Sequence, residues 1–223
     1  MTVTPAGLVA SAKAVLLDFD GPVTPLMPKP RNAQAADAAR QPLMHAGLKL
    51  PSSVTATTDH LAVLRYAAPL GPDLLAEVEE ACIGAEVAAA KVSQPTPGAH
   101  DFLAACSRAE KPVVIVSNNA ADAVHAYLLR FKLHGLVRGV VGRQLRRPDL
   151  MKPHPSLVGA AVDLTGVQAH ECVMVGDSTT DIAAAHAWGI PAIGYAKTEL
   201  RGQELTSVGA EAVTASISTL LGN

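Results

Sequence analysis

Four short segments of this chain carry residue types able to do chemistry, and each comes after a short apolar run, three of them directly. The first is Asp18-Phe19-Asp20-Gly21, after Val15-Leu16-Leu17. Residues two apart in an extended segment point to the same side, so both carboxylates can face one crevice. Such a pair suits a nucleophile with its general acid/base, or a divalent metal. A turn after a strand also favours Asp and Gly. Gly21 lets the chain turn sharply and bring backbone N–H groups near an anion. The second segment is Ser117-Asn118-Asn119. Its hydroxyl and N–H groups can hold phosphate oxygens, and an Asn amide can donate another hydrogen bond; the same residues can cap the next helix. The third is Lys152, in Met151-Lys152-Pro153-His154-Pro155. It offers a point charge for a phosphate and for a nucleophile's developing charge, although lysine is ordinarily a surface residue. The fourth runs from Gly176 to Asp181, with Asp177 leaving a strand and Asp181 in the first turn of the next helix. Carboxylates there are good ligands for Mg²⁺, and acidic residues also favour the positive end of a helix.

The elements that must position these residues read as an alternation. Ala14–Leu17, Val113–Val116, Leu136–Val141, Cys172–Val175 and Ala192–Tyr195 have the character of buried parallel strands. Between them, Val124, Tyr127, Leu128 and Phe131 form one apolar helix face. Leu157–Leu164 reads as a helix entered near Pro155, and Thr179–Trp188 as another closed by Gly189. Strand alternating with helix predicts an α/β fold around a parallel, Rossmann-like sheet with helices on both faces. Ligands of such sheets bind beyond the carboxyl ends of the strands, where all four segments fall.

From about Pro22 to Gln94 the rhythm breaks. The stretch holds no clear strand but two or three helical patterns, the best being Pro72–Val92 with Leu74, Leu75, Val78 and Cys82 on one face. Glu77, Glu79, Glu80 and Glu86 fall mostly on the others. Proline-rich joints flank it, Pro22, Pro25, Pro28 and Pro30 on entry and Pro95-Thr96-Pro97-Gly98 on exit. This predicts a helical domain, 22–94, hinged on a core made of 1–21 and 95–223.

Composition narrows the function classes. With 223 residues, 49% of them hydrophobic, the chain can fill a sizeable core, and with 3% aromatics it must do so with Ala, Val and Leu. A net charge of −2 argues against a nucleic-acid binder. No segment approaches the roughly 20 apolar residues of a membrane span, and Met1–Lys13 does not read as a signal peptide. Cys82, Cys106 and Cys172 are scattered and odd in number, which fits a reduced, cytoplasmic setting.

Taken in order, the four segments resemble those of the haloacid dehalogenase superfamily of hydrolases. The likeness covers about Lys13–Gly21 and Pro95–Leu221, and the insert falls where that family's helical C1-type cap falls, as in phosphoglycolate phosphatase and β-phosphoglucomutase. The resemblance implies a phosphatase acting on a small phosphorylated metabolite. Asp18 would attack phosphorus and become an aspartyl-phosphate, and Asp20 would protonate the leaving oxygen and then activate water. Ser117, Asn118 and Gly21 would bind the phosphoryl group, with Lys152 neutralising charge. Mg²⁺ would be held by Asp18, the Asp20 carbonyl, Asp177 and Asp181. Pro22 departs from the usual Thr or Val and implies a stiffer hinge.

A carboxylate at Asp20 separates esters from the dehalogenase and phosphonate branches, which lack it. A phosphomutase uses the same residues, and a non-catalytic phospho-receiver or metal-binding module would share the Asp cluster and lysine but needs no insert. Arg31, Arg40, His45, Lys49, His60, Arg65 and Lys91 are the cap residues able to grip an anionic leaving group, although most are expected to solvate its surface. Arg143, Arg146 and Arg147 are expected in a solvated loop, and His154 is the one histidine expected near the site. A monomer and a homodimer are equally compatible with the sequence.

Overall fold

Each of the five apolar runs becomes a strand in the computed structural model, which describes residues 3–222. Met1, Thr2 and Asn223, at the outer ends of the expected core segments, lie outside the described residues. The strands are β1 (Ala14–Leu17), β2 (Val113–Val116), β3 (Gly139–Val141), β4 (Cys172–Gly176) and β5 (Ala192–Tyr195). The third is shorter than its apolar run, because His134–Leu136 closes a 3₁₀ turn first. A sixth strand, β6 (Ala212–Thr214), was not expected; three residues are too few to show a pattern.

All pairs are parallel, in the order β3-β2-β1-β4-β5-β6. The chain therefore builds outward from β1 in one direction, then returns to build outward from β4 in the other. The crevice between β1 and β4 is the switch point at which open α/β sheets hold ligands. Alternate residues of the central strands serve opposite faces. Val15 and Leu17 join one apolar cluster with Phe102, Val124 and Tyr127, and Ala14 and Leu16 join another with Leu157, Ile182 and Leu205. Helices cover both faces: α1 (Pro5–Ser11), which was not anticipated, α6 (Ala99–Arg108), α7 (Ala121–Arg130), α8 (Ser156–Thr165), α9 (Thr179–His186) and α10 (Glu199–Ser207). The only tryptophan of the chain, Trp188, lies against Gly159 of α8 and donates from Nε1 to the Pro155 carbonyl at 3.0 Å. A side chain at position 159 would collide with its ring, 2.4 Å from the nearest carbon.

The insert consists of α2 (Arg31–His45), α3 (Ser52–Thr55), α4 (His60–Ala67) and α5 (Pro72–Ala90). Ala39, Leu43, Val63, Leu64, Val78 and Cys82 pack there in a cluster separate from the sheet's. Its two ends are shared with the core, since Val23, Leu26, Ala89 and Ala90 join the cluster under β1. The crossing segments are stitched to each other. Thr24 Oγ1 donates to the Gln94 carbonyl at 2.7 Å, Thr96 N to Val23 O at 2.9 Å, and Thr96 Oγ1 to Gly21 O at 2.5 Å. Pro22 sits in the turn between, where residues 21, 23 and 24 make the hydrogen bonds and no N–H is required of it.

One expectation for the insert is corrected. Arg40 is buried rather than solvated, its guanidinium donating to the Val54 and Thr57 carbonyls and pairing with Asp37, and Glu79 and Glu86, placed off the apolar helix face, are buried too. In each case a specific partner replaces water, which a burial estimate by residue type cannot foresee.

Candidate active site

A cleft of about 490 Å³ opens over the carboxyl ends of the central strands, roofed by the insert. Asp18 and Asp20 both reach it from the end of β1, as the two-residue period requires. Gly21 turns the chain at φ +112°, and a Cβ there would stand 2.3 Å from Asp177 Oδ2. Glycine is thus demanded by conformation and by the close passage of an acidic side chain. Its N–H donates to Thr24 O at 2.8 Å, which engages the donor expected to meet an anion.

Lys152 is 2% exposed, so its charge is fully committed to the site. Its Nζ donates to Asp18 Oδ1 at 2.8 Å and to Val116 O at 2.9 Å, and lies 2.5 Å from Asp181 Oδ1. Burial alone would lower its pKa, but Asp18 and Asp181 outweigh it and hold the ammonium charged. Asn118 fixes the backbone of this lysine: its Oδ1 accepts from Lys152 N at 2.7 Å and its Nδ2 donates to Lys152 O at 3.0 Å. The amide thus positions Lys152 first, leaving one Nδ2 hydrogen for an anion. Ser117 is buried and accepts from Asn119 N at 3.1 Å, so its hydroxyl proton is free to donate.

Asp181 serves two ends. Its Oδ2 accepts from Ser178 N at 3.0 Å and Ser178 Oγ at 2.8 Å, closing a capping box at the start of α9. Its Oδ1 is buried and its one close polar neighbour is the Lys152 ammonium. Oxygens of Asp18, Asp177 and Asp181 all lie within 4.8 Å of one another. Burial first, then repulsion from Asp181, raises the Asp18 pKa well above the ordinary carboxylate range, against the pull of Lys152. Burial, Asp181 and Asp20 push Asp177 up to about 7. Asp20 is raised by burial, partly offset by the Leu26 N–H that donates to its Oδ1 at 2.8 Å. Three crowded, buried carboxylates within one cation's reach are a donor set that fits a hard divalent cation such as Mg²⁺.

The insert lines the other wall with Met27, Asn32, Thr58, Asp59, His60, Leu61 and Arg65. Of the seven cap residues able to grip an anionic leaving group, His60 and Arg65 line the cleft, and Arg31, Arg40, His45, Lys49 and Lys91 do not. His154 is also outside it, its Nδ1 paired with Ser156 Oγ at 2.8 Å; His60 is the histidine at the site. Arg143 corrects the expectation of a solvated loop most sharply, being buried against Glu79 and Glu86. Arg147 is exposed and pairs with Asp149, as a loop residue would. Asn32, Thr58 and Asp59 were not foreseen, because no local pattern distinguishes them from other polar residues of the insert.

A model of the haloacid dehalogenase-like hydrolases matches residues 12–189. The phosphoglycolate phosphatase of Rhodospirillum rubrum is 32% identical over 163 residues, 71% of this chain and 58% of that protein, so the chain spans less than two thirds of this relative's length. That of Xanthomonas campestris pv. campestris is 50% identical over 95 residues, 32% of this chain and 43% of its own. Among solved structures, a HAD family hydrolase from Deinococcus radiodurans R1 with bound phosphate and sodium superposes with a TM-score of 0.58 at 25% identity, covering 93% of this chain and 92% of the other. A predicted phosphoglycolate phosphatase from Haemophilus somnus 129PT gives 0.68 at 17% identity over 95% and 97%, a likeness of fold. The family match begins before the strand that leads into Asp18 and runs past the helix that holds Asp181, and on it the chain belongs to the haloacid dehalogenase-like hydrolases.

Proposed function

We propose that this chain is a phosphatase for a small phosphorylated metabolite, with Asp18 as nucleophile and Asp20 as general acid and base. The observation that carries this reading is the placing of Asp18: buried at the head of the central strand, bonded to Lys152 and crowded by Asp177 and Asp181. Phosphoryl transfer asks mainly for positioning and neutralised charge, and this arrangement offers both. Asp18 attacks phosphorus and the ester P–O bond breaks, leaving an aspartyl-phosphate. Asp20, whose raised pKa favours holding a proton, gives it to the departing oxygen. It then takes a proton from the water that attacks the intermediate, which releases inorganic phosphate. The Ser117 hydroxyl and the free Nδ2 hydrogen of Asn118 hold phosphoryl oxygens meanwhile. Mg²⁺ would be held by Asp18, Asp177, Asp181 and the Asp20 carbonyl, where it supplies neutralisation of the phosphate's charge.

For the leaving group, the insert offers one cation not tied up in an ion pair, Arg65, among the residues lining the cleft. An anionic leaving group of a few carbons suits it, and the named relatives make phosphoglycolate the first compound to try. A cytoplasmic setting accords with three buried, unbridged cysteines, and among the described residues no helix is long and apolar enough to cross a membrane.

The test is release of inorganic phosphate from phosphoglycolate, sugar phosphates, nucleotides and an aryl phosphate, with and without Mg²⁺. Metal-dependent turnover abolished by Asp18→Asn is expected. Turnover that survives that substitution would refute the nucleophile, and none on any compound would refute the phosphatase.

A further inference from the structure

Behind the cleft, one buried guanidinium joins the insert to the sheet domain. The Arg143 side chain has no solvent exposure. Its Nε reaches Glu79 Oε1 at 3.2 Å and its Nη1 reaches Glu86 Oε1 at 2.6 Å, both on α5. Seven residues apart, these two glutamates lie two turns along one helix face. The carboxylates grip the core a second time. Glu86 Oε2 accepts from Ala120 N at 2.9 Å and Glu79 Oε2 from Arg146 N at 2.7 Å.

This cluster touches both walls of the cleft. On the insert side, Glu86 Oε1 pairs with His60 Nε2 at 2.8 Å, and His60 lines the cleft. On the core side, Arg143 N donates to Asn119 O at 3.1 Å and Nη1 approaches Asn118 O at 3.4 Å. Ala120, Asn119 and Asn118 follow directly on Ser117. The unbroken path His60–Glu86–Arg143–Asn118 therefore runs from the wall that meets a leaving group to the loop that meets a phosphate.

Burying such a cluster adds little stability over apolar packing of the same shape, because desolvation offsets the attraction. What charges add is a single permitted geometry, and a seam that regains water when it parts. We propose that Arg143 is a positioning residue: with Glu79 and Glu86 it forms an ionic clasp that sets the insert's wall at a fixed distance from the Ser117–Asn119 loop. The clasp matters to catalysis only through the reading of the cleft given above, so its test includes a measurement independent of turnover.

The test compares wild type with the charge-free triple variant Glu79→Gln, Glu86→Gln, Arg143→Met, which leaves no uncompensated buried charge. Melting temperature, amide hydrogen exchange and steady-state kinetics on the best substrate are measured. Expected are a melting temperature close to wild type and faster exchange confined to the segments the cluster touches, residues 60–67, 117–124 and 143–147. With these should come a rise in KM of about tenfold or more, since small misplacement in a preorganised site is costly. Unchanged exchange and KM would overturn the clasp. So would faster exchange spread equally through β1 and β4, the mark of a purely structural role. Should the triple variant fail to fold, Arg143→Lys carries the test, because a single ammonium nitrogen cannot stand where both Nε meets Glu79 and Nη1 meets Glu86, and the same localised exchange is expected of it. An inactive wild type would sink the phosphatase reading, while the exchange pattern would still decide the clasp.

Discussion

Asp20 and Asp18 stand two residues apart, yet their surroundings divide their work. Asp18 is held by an ammonium; Asp20 is held by one backbone N–H and faces the cleft. Replacing Asp20 by Asn keeps the size and removes the proton, so both half-reactions should slow, by about 10²- to 10⁴-fold. Rapid-quench measurement of phosphoenzyme formation and decay checks this, and loss of one half-reaction alone would contradict the double role. Arg65→Ala should raise KM for an anionic substrate about 10- to 100-fold, as expected for a lost charge-assisted hydrogen bond. The same substitution should hardly affect phenyl phosphate, whose leaving group is neutral. Equal losses on both substrates would remove Arg65 from leaving-group recognition.

Between residue and fold, α9 shows how an element tunes a site. Ser178 caps the helix and simultaneously holds Asp181 Oδ2, turning Oδ1 toward Lys152. Ser178→Ala should cost about 1 kcal/mol of stability, read by urea denaturation, and should weaken Mg²⁺ binding more than that cost implies. The place of Asp181 in the first turn of its helix and its candidacy as a metal ligand were both legible in the sequence, since each is local to a few residues. Strand-end motifs were legible for the same reason: a β-branched run fixes where its last residue points. The glutamate–arginine cluster was not. Arg143 meets its partners across 57 and 64 residues, and a glutamate on a helix reads as solvated until its partner is known. Likewise, Asn118 read as a phosphate donor because the sequence cannot show that Lys152's backbone reaches it first.

At the scale of the whole molecule, the carboxylate cluster opposes folding when no cation balances it. Burial and the neighbouring carboxylates push Asp177 up to about 7 in the folded chain, from the ordinary carboxylate value of 3.8, so across that interval the folded state binds more protons than the unfolded. Stability of the metal-free protein should therefore fall as pH rises from about 4 to about 7. Mg²⁺ should reverse the loss, adding about 2.7 kcal/mol at one hundred times its dissociation constant. Melting curves at about pH 5 and about pH 8, in chelator and in Mg²⁺, check both signs; the gain from metal should be larger at the higher pH. The parallel sheet and the inserted helices were legible from alternation and from its interruption, whereas α1 and β6 were too short to leave a periodic trace. One half-exposed side chain has an optical meaning. Trp188, bonded to Pro155 three residues beyond Lys152, is a fluorophore built beside the lysine segment. With no second tryptophan to dilute its emission, any shift of that segment when phosphate arrives should be readable as a change in colour or intensity, in the unlabelled protein and in real time.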